Sequence, residues 1–105
     1  MVYAMTRYDV VVLPIARDDI GEAYLYIAAD NPTAATTLIT RILDHVDALP
    51  QFPLSGGIVP DRELARREYR MLAIGKYLVF YRVIEERVVV YRVLHGARYY
   101  PDLLM

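Results

Sequence analysis

Cysteine is absent from this 105-residue sequence, and only two residues, His45 and His95, are histidine. Without thiols the chain forms neither disulfides nor thiolate zinc sites, so nothing in its composition argues against a reducing compartment. His45 follows Asp44 in a segment of helical periodicity, and we interpret it as a solvated helix residue. We therefore expect no metal and no cofactor.

Long apolar runs are also missing. The longest uncharged one, Val10 to Ala16, falls far below the roughly 18 to 20 residues that a membrane span requires. The N-terminal segment lacks the apolar centre of a secretory signal, and Met5 offers an alternative start. We expect a soluble, cytoplasmic protein with no membrane partner.

Common enzyme signatures are not found. The sequence contains no phosphate-cradling glycine loop, no HExxH and no GxSxG motif, and "SGG" at Ser55 to Gly57 predicts only a turn. The composition is typical of a folded protein, since 56% of residues are apolar and 24% are charged. It therefore predicts an ordered chain rather than a disordered one. The length predicts one domain over residues 1–105.

Charge is divided along the chain. Residues 1–50 carry a net charge of −4 and residues 51–105 a net charge of +3, which together give the overall −1. All cations of the second half except Lys76 are arginine, whose forked guanidinium suits carboxylates and phosphates. Two hypotheses stay open: arginines on solvated strand edges and turns, or a basic face for nucleic acid or an acidic protein segment.

The first half predicts a strand and two helices. A β-branched run at Tyr8 to Leu13 predicts the strand. Apolar residues then recur every three or four positions from Ala16 to Ala29, with acids in the first turns of this helix. Asn31 is a suitable cap and Pro32 a suitable first residue for a second helix, whose apolar positions run from Ala35 to Leu49. The short link predicts an antiparallel helical hairpin.

The second half predicts strands. After a loop at Gln51 to Asp61 and a helical turn or extended stretch at Arg62 to Arg67, three apolar runs are separated by two-residue turns: Tyr69 to Ile74, Tyr77 to Ile84 and Arg87 to Leu94. The fold class is therefore α+β, an N-terminal strand and helical hairpin followed by a three-stranded antiparallel meander. The middle strand is apolar on both sides, so one face takes the hairpin and the other takes the C-terminal tail or another protein.

The second half also holds the residues best suited to chemistry, which are Arg70, Arg82, Arg92, His95, Arg98, Tyr99 and Tyr100. A base, an acid and cations are sufficient to cleave RNA through its own 2′-hydroxyl. Structural roles compete with this one. Arg82 and Arg92 would lay their stems across the sheet with wet guanidinium groups, and His95 would hydrogen-bond the backbone at a strand end. Tyr99 and Tyr100 would either stack on bases or pack the tail onto the core.

The order of elements, together with "YRML..GKYLVFYRV" (Tyr69 to Val83) and "VVVYRVLHGAR" (Val88 to Arg98), resembles the RelE/ParE superfamily of type II toxins. The resemblance implies a growth-arresting toxin in a hetero-oligomer with a small acidic antitoxin that wraps the sheet and the hairpin. By similarity, the residues expected to bind antitoxin or target are Tyr24, Ile27, Arg70, Arg82 and Arg92.

The superfamily has two branches with different targets. RelE-like members cleave mRNA on the ribosome, and in this branch the catalytic residues would be Arg70, His95, Arg98 and Tyr99. ParE-like members inhibit DNA gyrase without recognised catalysis. A net charge of −1 and a single lysine argue against binding ribosomal RNA, and "FYRV" followed by "RVLH" is closer to the ParE-like branch. Tyr99 stands where relatives often have an acid.

We therefore predict a gyrase inhibitor. The alternative is a ribosome-dependent nuclease, and a third hypothesis is an inert relative that only binds its partner.

Overall fold

A computed structural model describes residues 8–104, so the alternative start at Met5 lies outside the described residues. The elements in chain order are β1 (Asp9–Val12), α1 (Pro14–Ala28), α2 (Pro32–Ala48), β2 (Gly57–Ile58), α3 (Arg62–Arg66), β3 (Arg70–Ile74), β4 (Tyr77–Ile84), β5 (Arg87–His95) and α4 (Pro101–Leu104). The strands form one sheet in the order β1-β5-β4-β3-β2. The predicted α+β order is confirmed.

The helical hairpin forms as predicted, with one difference. α1 begins at Pro14 rather than at Ala16, because the fixed φ of proline suits the first turn and its missing N–H is not needed there. The first turn of α1 consequently contains no acid, and Asp18 and Asp19 lie in its second turn. Asn31 caps α2 as predicted: its side chain accepts a hydrogen bond from the backbone N–H of Ala34 at 3.0 Å.

The antiparallel meander of β3, β4 and β5 is confirmed, and the sheet extends beyond it on both sides. β1 pairs in parallel with β5, and Gly57–Ile58, inside the predicted loop, pairs with β3. Neither pairing has a local signature, because the partner of β1 lies at the other end of the chain and β2 is too short to show periodicity.

Each face of the sheet buries its own apolar cluster. On the helical face, side chains of α1 and α2 pack on Tyr77, Val79 and Tyr81 of β4. On the outer face, Phe80 and Leu94 are covered by α3 and the C-terminal tail. The tail is thus the cover for the second face, one of the two predicted alternatives. Its last turn, α4, was not predicted, since four residues carry too little pattern.

A β-bulge interrupts the pairing of β4 with β5. Phe80 lies opposite Arg92 while Tyr81 lies opposite Val90, so Tyr91 is the extra residue. The bulge changes which residues of β5 share a face: Val90 and Val93, three positions apart, both bury on the helical face. Nothing among the helices of residues 8–104 combines the length and apolar character needed to cross a membrane.

Candidate functional site

A cleft opens where β1 ends and β5 continues. β1 pairs only with Arg87 to Val90, after which the Leu13 N–H donates to the Val90 carbonyl at 3.1 Å and the chain turns into α1. The space beyond, between α1 and the rest of β5, has a volume of about 470 Å³. We call it the α1–β5 cleft, and its lining residues are Asp19, Glu22, Ala23, Tyr26, Tyr77, Val93, Leu94, His95 and Arg98.

Asp19 is the buried acid of this cleft. Its carboxylate accepts hydrogen bonds from Nε and Nη2 of Arg92 at 2.7 and 2.9 Å and from the Val93 N–H at 3.0 Å. The third bond satisfies a sheet-edge donor that β1 is too short to reach. Asp19 was not predicted, although its position three residues after Ala16 and four before Ala23 places it on the buried side of α1.

Arg92 connects the cleft to the C-terminal tail. Hydrogen bonding to Asp19 raises the pKa of Arg92, and Nη1 of Arg92 also donates to the Leu103 carbonyl at 3.3 Å. Only 12% of the Arg92 side chain and 5% of the Asp19 side chain are exposed. The expectation of a wet guanidinium is therefore wrong for Arg92, because a buried carboxylate lies within reach.

His95 ends β5 and bonds to the backbone, as one of the two predictions for it states. Its Nδ1 accepts a hydrogen bond from the Ala97 N–H at 3.0 Å, so in the neutral ring the proton lies on Nε2. The ring packs edge-on against Tyr77, with centroids 5.3 Å apart. Arg98 lines the same cleft, whereas Tyr99 is exposed and lies outside the lining.

Arg70 lies at the opposite end of the sheet. His95 is level with Tyr77 and Ile74, and Arg70 begins the strand that Ile74 ends. A rise near 3.3 Å per residue and a strand spacing near 4.8 Å then put the Cα atoms of Arg70 and His95 about 16 Å apart. Nη1 of Arg70 donates to the carbonyls of Gly56 at 2.7 Å and Leu54 at 3.4 Å.

The four residues predicted for catalysis are therefore not brought together: His95 and Arg98 share the cleft, and Arg70 and Tyr99 do not. Across residues 8–104, no cluster of three His, Asp or Glu side chains is arranged to hold a metal ion.

Arg82 lies on the outer face, beside the rings of Tyr69 and Tyr91. Its guanidinium carbon lies 5.3 Å from the ring centroid of Tyr69 and 6.0 Å from that of Tyr91, and Nε donates to the Arg67 carbonyl at 2.8 Å. Burial, followed by the nearby Tyr91 hydroxyl, raises the pKa of Tyr69. Arg82 is thus held by cation–π contacts within its own chain.

The residues predicted for binding do not share one surface. Tyr24 is exposed on α1 and Ile27 packs partly against the helical-face core, whereas Arg82 lies on the other face of the sheet. Arg70 and Arg92 are occupied by the contacts described above. Their roles in binding stay predictions.

Two groups of apolar side chains are exposed. The α1 ridge consists of Tyr24, Leu25 and Tyr26, with exposures of 39%, 70% and 79%. The loop ridge consists of Phe52, Leu54 and Ile58, with exposures of 62%, 62% and 46%. Of these only Tyr24 was predicted to bind. No sequence signal separates the loop ridge from Val59, an apolar residue of the same loop that is fully buried.

Two solved structures of toxin–antitoxin systems contain chains that match this fold. The chromosomal ParDE system of P. aeruginosa matches with a TM-score of 0.69 at 18% sequence identity, over 87% of this chain and 98% of that one, and shows the shared fold. The toxin–antitoxin complex RelBE2 of Mycobacterium tuberculosis matches with a TM-score of 0.62 at 25% identity, over 85% of this chain and 98% of that one. The chain thus has the RelE/ParE toxin fold.

The sequence narrows this class to one family. Residues 10–100 match the ParE toxin of the type II toxin–antitoxin system parDE. A protein named "Putative toxin Y4kP", from Sinorhizobium fredii (strain NBRC 101917 / NGR234), is 37% identical over 87 residues, which is 83% of each chain. This chain belongs to the ParE toxin family.

Proposed function

We propose that this toxin arrests growth by binding and inhibiting DNA gyrase in the cytoplasm, without catalysis of its own, and that a cognate antitoxin neutralises it in a hetero-oligomer. The observation that carries the proposal is the separation of Arg70 from His95 and Arg98 by the register of the sheet. Inhibition by surface contact requires no assembled catalytic set, whereas RNA cleavage does.

Cleavage of RNA needs a base, an acid and cations around one phosphate. Arg70 does not take part in such a cluster while its guanidinium holds the carbonyls of Leu54 and Gly56. The positive charges of Arg66 and Arg67 are partly neutralised, because both side chains form salt bridges with Glu63. A net charge of −1 supplies little of the phosphate attraction on which RNA binding depends.

An antitoxin partner is supported by the ParE family and by the complexes in which related folds occur. We place the antitoxin on the α1 ridge, because Leu25 and Tyr26 are largely exposed there and Tyr26 continues into the α1–β5 cleft. Arg98, at the end of this cleft, suits a carboxylate of an acidic antitoxin segment.

One observation favours the alternative, a RelE-like ribosome-dependent nuclease. His95, Arg98 and Glu22 line one cleft, so a base, a cation and an acid are close even without Arg70 and Tyr99. Any catalysis by this chain would use that cleft.

The two functions are separated by two assays on the purified toxin. We expect dose-dependent inhibition of DNA supercoiling by gyrase and intact mRNA on translating ribosomes. His95→Ala and Arg98→Ala should each retain most of the gyrase inhibition, because inhibition by surface contact needs neither a general base nor a cation beside a reacting phosphate. The nuclease function would be assigned instead if the wild type and the exposed control His45→Ala cleave mRNA and His95→Ala does not.

A further inference from the structure

The segment carrying the loop ridge is fixed in place by buried polar contacts. The Gly56 N–H donates to the hydroxyl of Tyr81 at 2.8 Å, and the Tyr81 side chain is fully buried. Arg70 holds the Gly56 carbonyl from the other side at 2.7 Å. A Cβ atom at Gly56 would lie 2.8 Å from the Met71 carbonyl oxygen and from the Tyr81 ring. The backbone of the loop therefore has little freedom at this point.

Backbone hydrogen bonds fix the start of the same segment. The Phe52 N–H donates to the Ala48 carbonyl, and the Ser55 N–H donates to the Phe52 carbonyl, both at 3.1 Å. Phe52 and Leu54 are thus presented to solvent from an ordered backbone. Burial of such apolar side chains stabilises an interface, and a pre-ordered surface loses little conformational entropy on binding.

The edge of the sheet beside this ridge is unpaired among the residues that the structure describes. β2 is the last strand in the sheet order, and within residues 8–104 no strand pairs with its outer side. Such an edge accepts an extended segment of another chain, whose backbone continues the hydrogen bonding while alternate side chains enter pockets. A small pocket of about 170 Å³ lies next to β2, lined by Leu54, Ile58, Glu68, Arg70 and Val83.

Two opposite charges line this pocket, those of Arg70 and Glu68. Nη1 of Arg70 is directed at the loop carbonyls. Glu68, exposed and with a left-handed φ of 61°, supplies the acidic charge at the rim. A complementary partner places an apolar side chain in the pocket and a lysine or arginine against Glu68.

We propose that the loop ridge and the edge of β2 are the surface by which the toxin holds its target, through an extended apolar segment of the target protein that carries a basic residue. Under the proposed function, on which this inference rests, the target is DNA gyrase. The α1 ridge is a separate surface, because β1, from which α1 departs, and β2 lie at opposite edges of the sheet.

The test compares matched variants of the full chain. Phe52→Ser/Leu54→Ser should weaken inhibition of purified gyrase by about tenfold or more and leave the affinity for the cognate antitoxin within about threefold. Ile15→Ser/Leu43→Ser is the control, since these side chains are 48% and 45% exposed and belong to neither ridge. Glu68→Lys should also weaken inhibition, whereas Glu85→Lys, likewise exposed and left-handed with a φ of 56°, should not. Circular dichroism melts check that all variants fold.

Growth arrest in an inducible host separates failure of this inference from failure of the proposed function. If the wild type does not inhibit gyrase, the proposed function fails. The loop ridge still stands as the surface for a different target if Phe52→Ser/Leu54→Ser abolishes arrest and retains antitoxin binding.

Arrest equal to the wild type by Phe52→Ser/Leu54→Ser would overturn the inference. If Phe52→Ser/Leu54→Ser loses antitoxin binding and still arrests growth, the antitoxin is the occupant of this surface. If the wild type is a dimer and the variant is a monomer that still arrests growth, the occupant is a second copy of the toxin. Either of these outcomes also overturns the proposal.

Discussion

The α1 ridge and the loop ridge both hold apolar side chains in solvent, but each rests on a different kind of buried contact. Beneath α1, a charged pair joins Asp19 to Arg92. Beneath the loop, the neutral hydroxyl of Tyr81 meets the N–H of Gly56. The stability of the first surface depends on charge compensation, whereas that of the second depends on close packing around one glycine.

The largest effect is expected at the charged pair. Asp19→Asn leaves the buried guanidinium of Arg92 without a counter-charge, and we expect a loss of about 3–5 kcal/mol in the free energy of unfolding, measured by urea denaturation. Asp18→Asn, one residue away and exposed, is the control and should change stability by less than about 0.5 kcal/mol.

The double variant Asp19→Leu/Arg92→Leu removes both charges and should recover much of that loss, because apolar replacement of a buried ion pair is often close to neutral. If Asp19→Asn were as stable as Asp18→Asn, the distinction between the two surfaces would not hold.

The next effect concerns the packing beneath the loop ridge. Gly56→Ala introduces a methyl group 2.8 Å from backbone and ring atoms, and we expect a loss of about 1–3 kcal/mol with weaker target inhibition. Gly57→Ala is the matched control, since a Cβ atom there meets nothing within 4 Å. Equal urea midpoints for the two variants would contradict a close-packed loop.

The smallest effect is a pH dependence of stability that arises from Tyr77 in the α1–β5 cleft. Burial, followed by the nearby Tyr26 hydroxyl, raises the pKa of Tyr77 above its ordinary value of 10.0. The folded protein then keeps this proton to higher pH than the unfolded chain does. The corresponding stability is present below pH 10.0 and is lost as the pH rises through the folded-state pKa.

Tyr77→Phe should therefore flatten the fall in thermal stability on the alkaline side, as followed by circular dichroism. Tyr99→Phe, a change to an exposed side chain, should leave the profile as it is in the wild type. If the thermal stability of Tyr77→Phe fell with rising pH as steeply as that of the wild type, Tyr77 would be excluded as the source of the pH dependence.

The fold was largely predictable because most of its signals are local. Apolar periodicity marked the hairpin, two-residue turns marked the meander, and Asn31 before Pro32 marked a helix start. The contacts beneath the two ridges were not predictable in the same way. Asp19 and Arg92 are 73 residues apart and Gly56 and Tyr81 are 25 apart, so no local pattern links them.

The candidate site was predicted residue by residue, without its geometry. His95 was correctly expected to bond to the backbone at a strand end, and Tyr24 is exposed on α1 as a binding residue requires. The grouping of Arg70 with His95 came from a motif. The predicted meander already implied their separation, because Arg70 is near the start of its first strand and His95 follows the end of its third. The strand register shows that they lie at opposite ends of the sheet.

The parallel pairing of β1 with β5 also affects the synthesis of the toxin. Asp9 to Val12 find their partners at Arg87 to Val90, so a chain growing on the ribosome has no complete sheet until β5 has emerged. Closing so long a segment is entropically slow compared with forming the local hairpins. We expect β1 to join the sheet last, after the local hairpins of β3, β4 and β5 have formed.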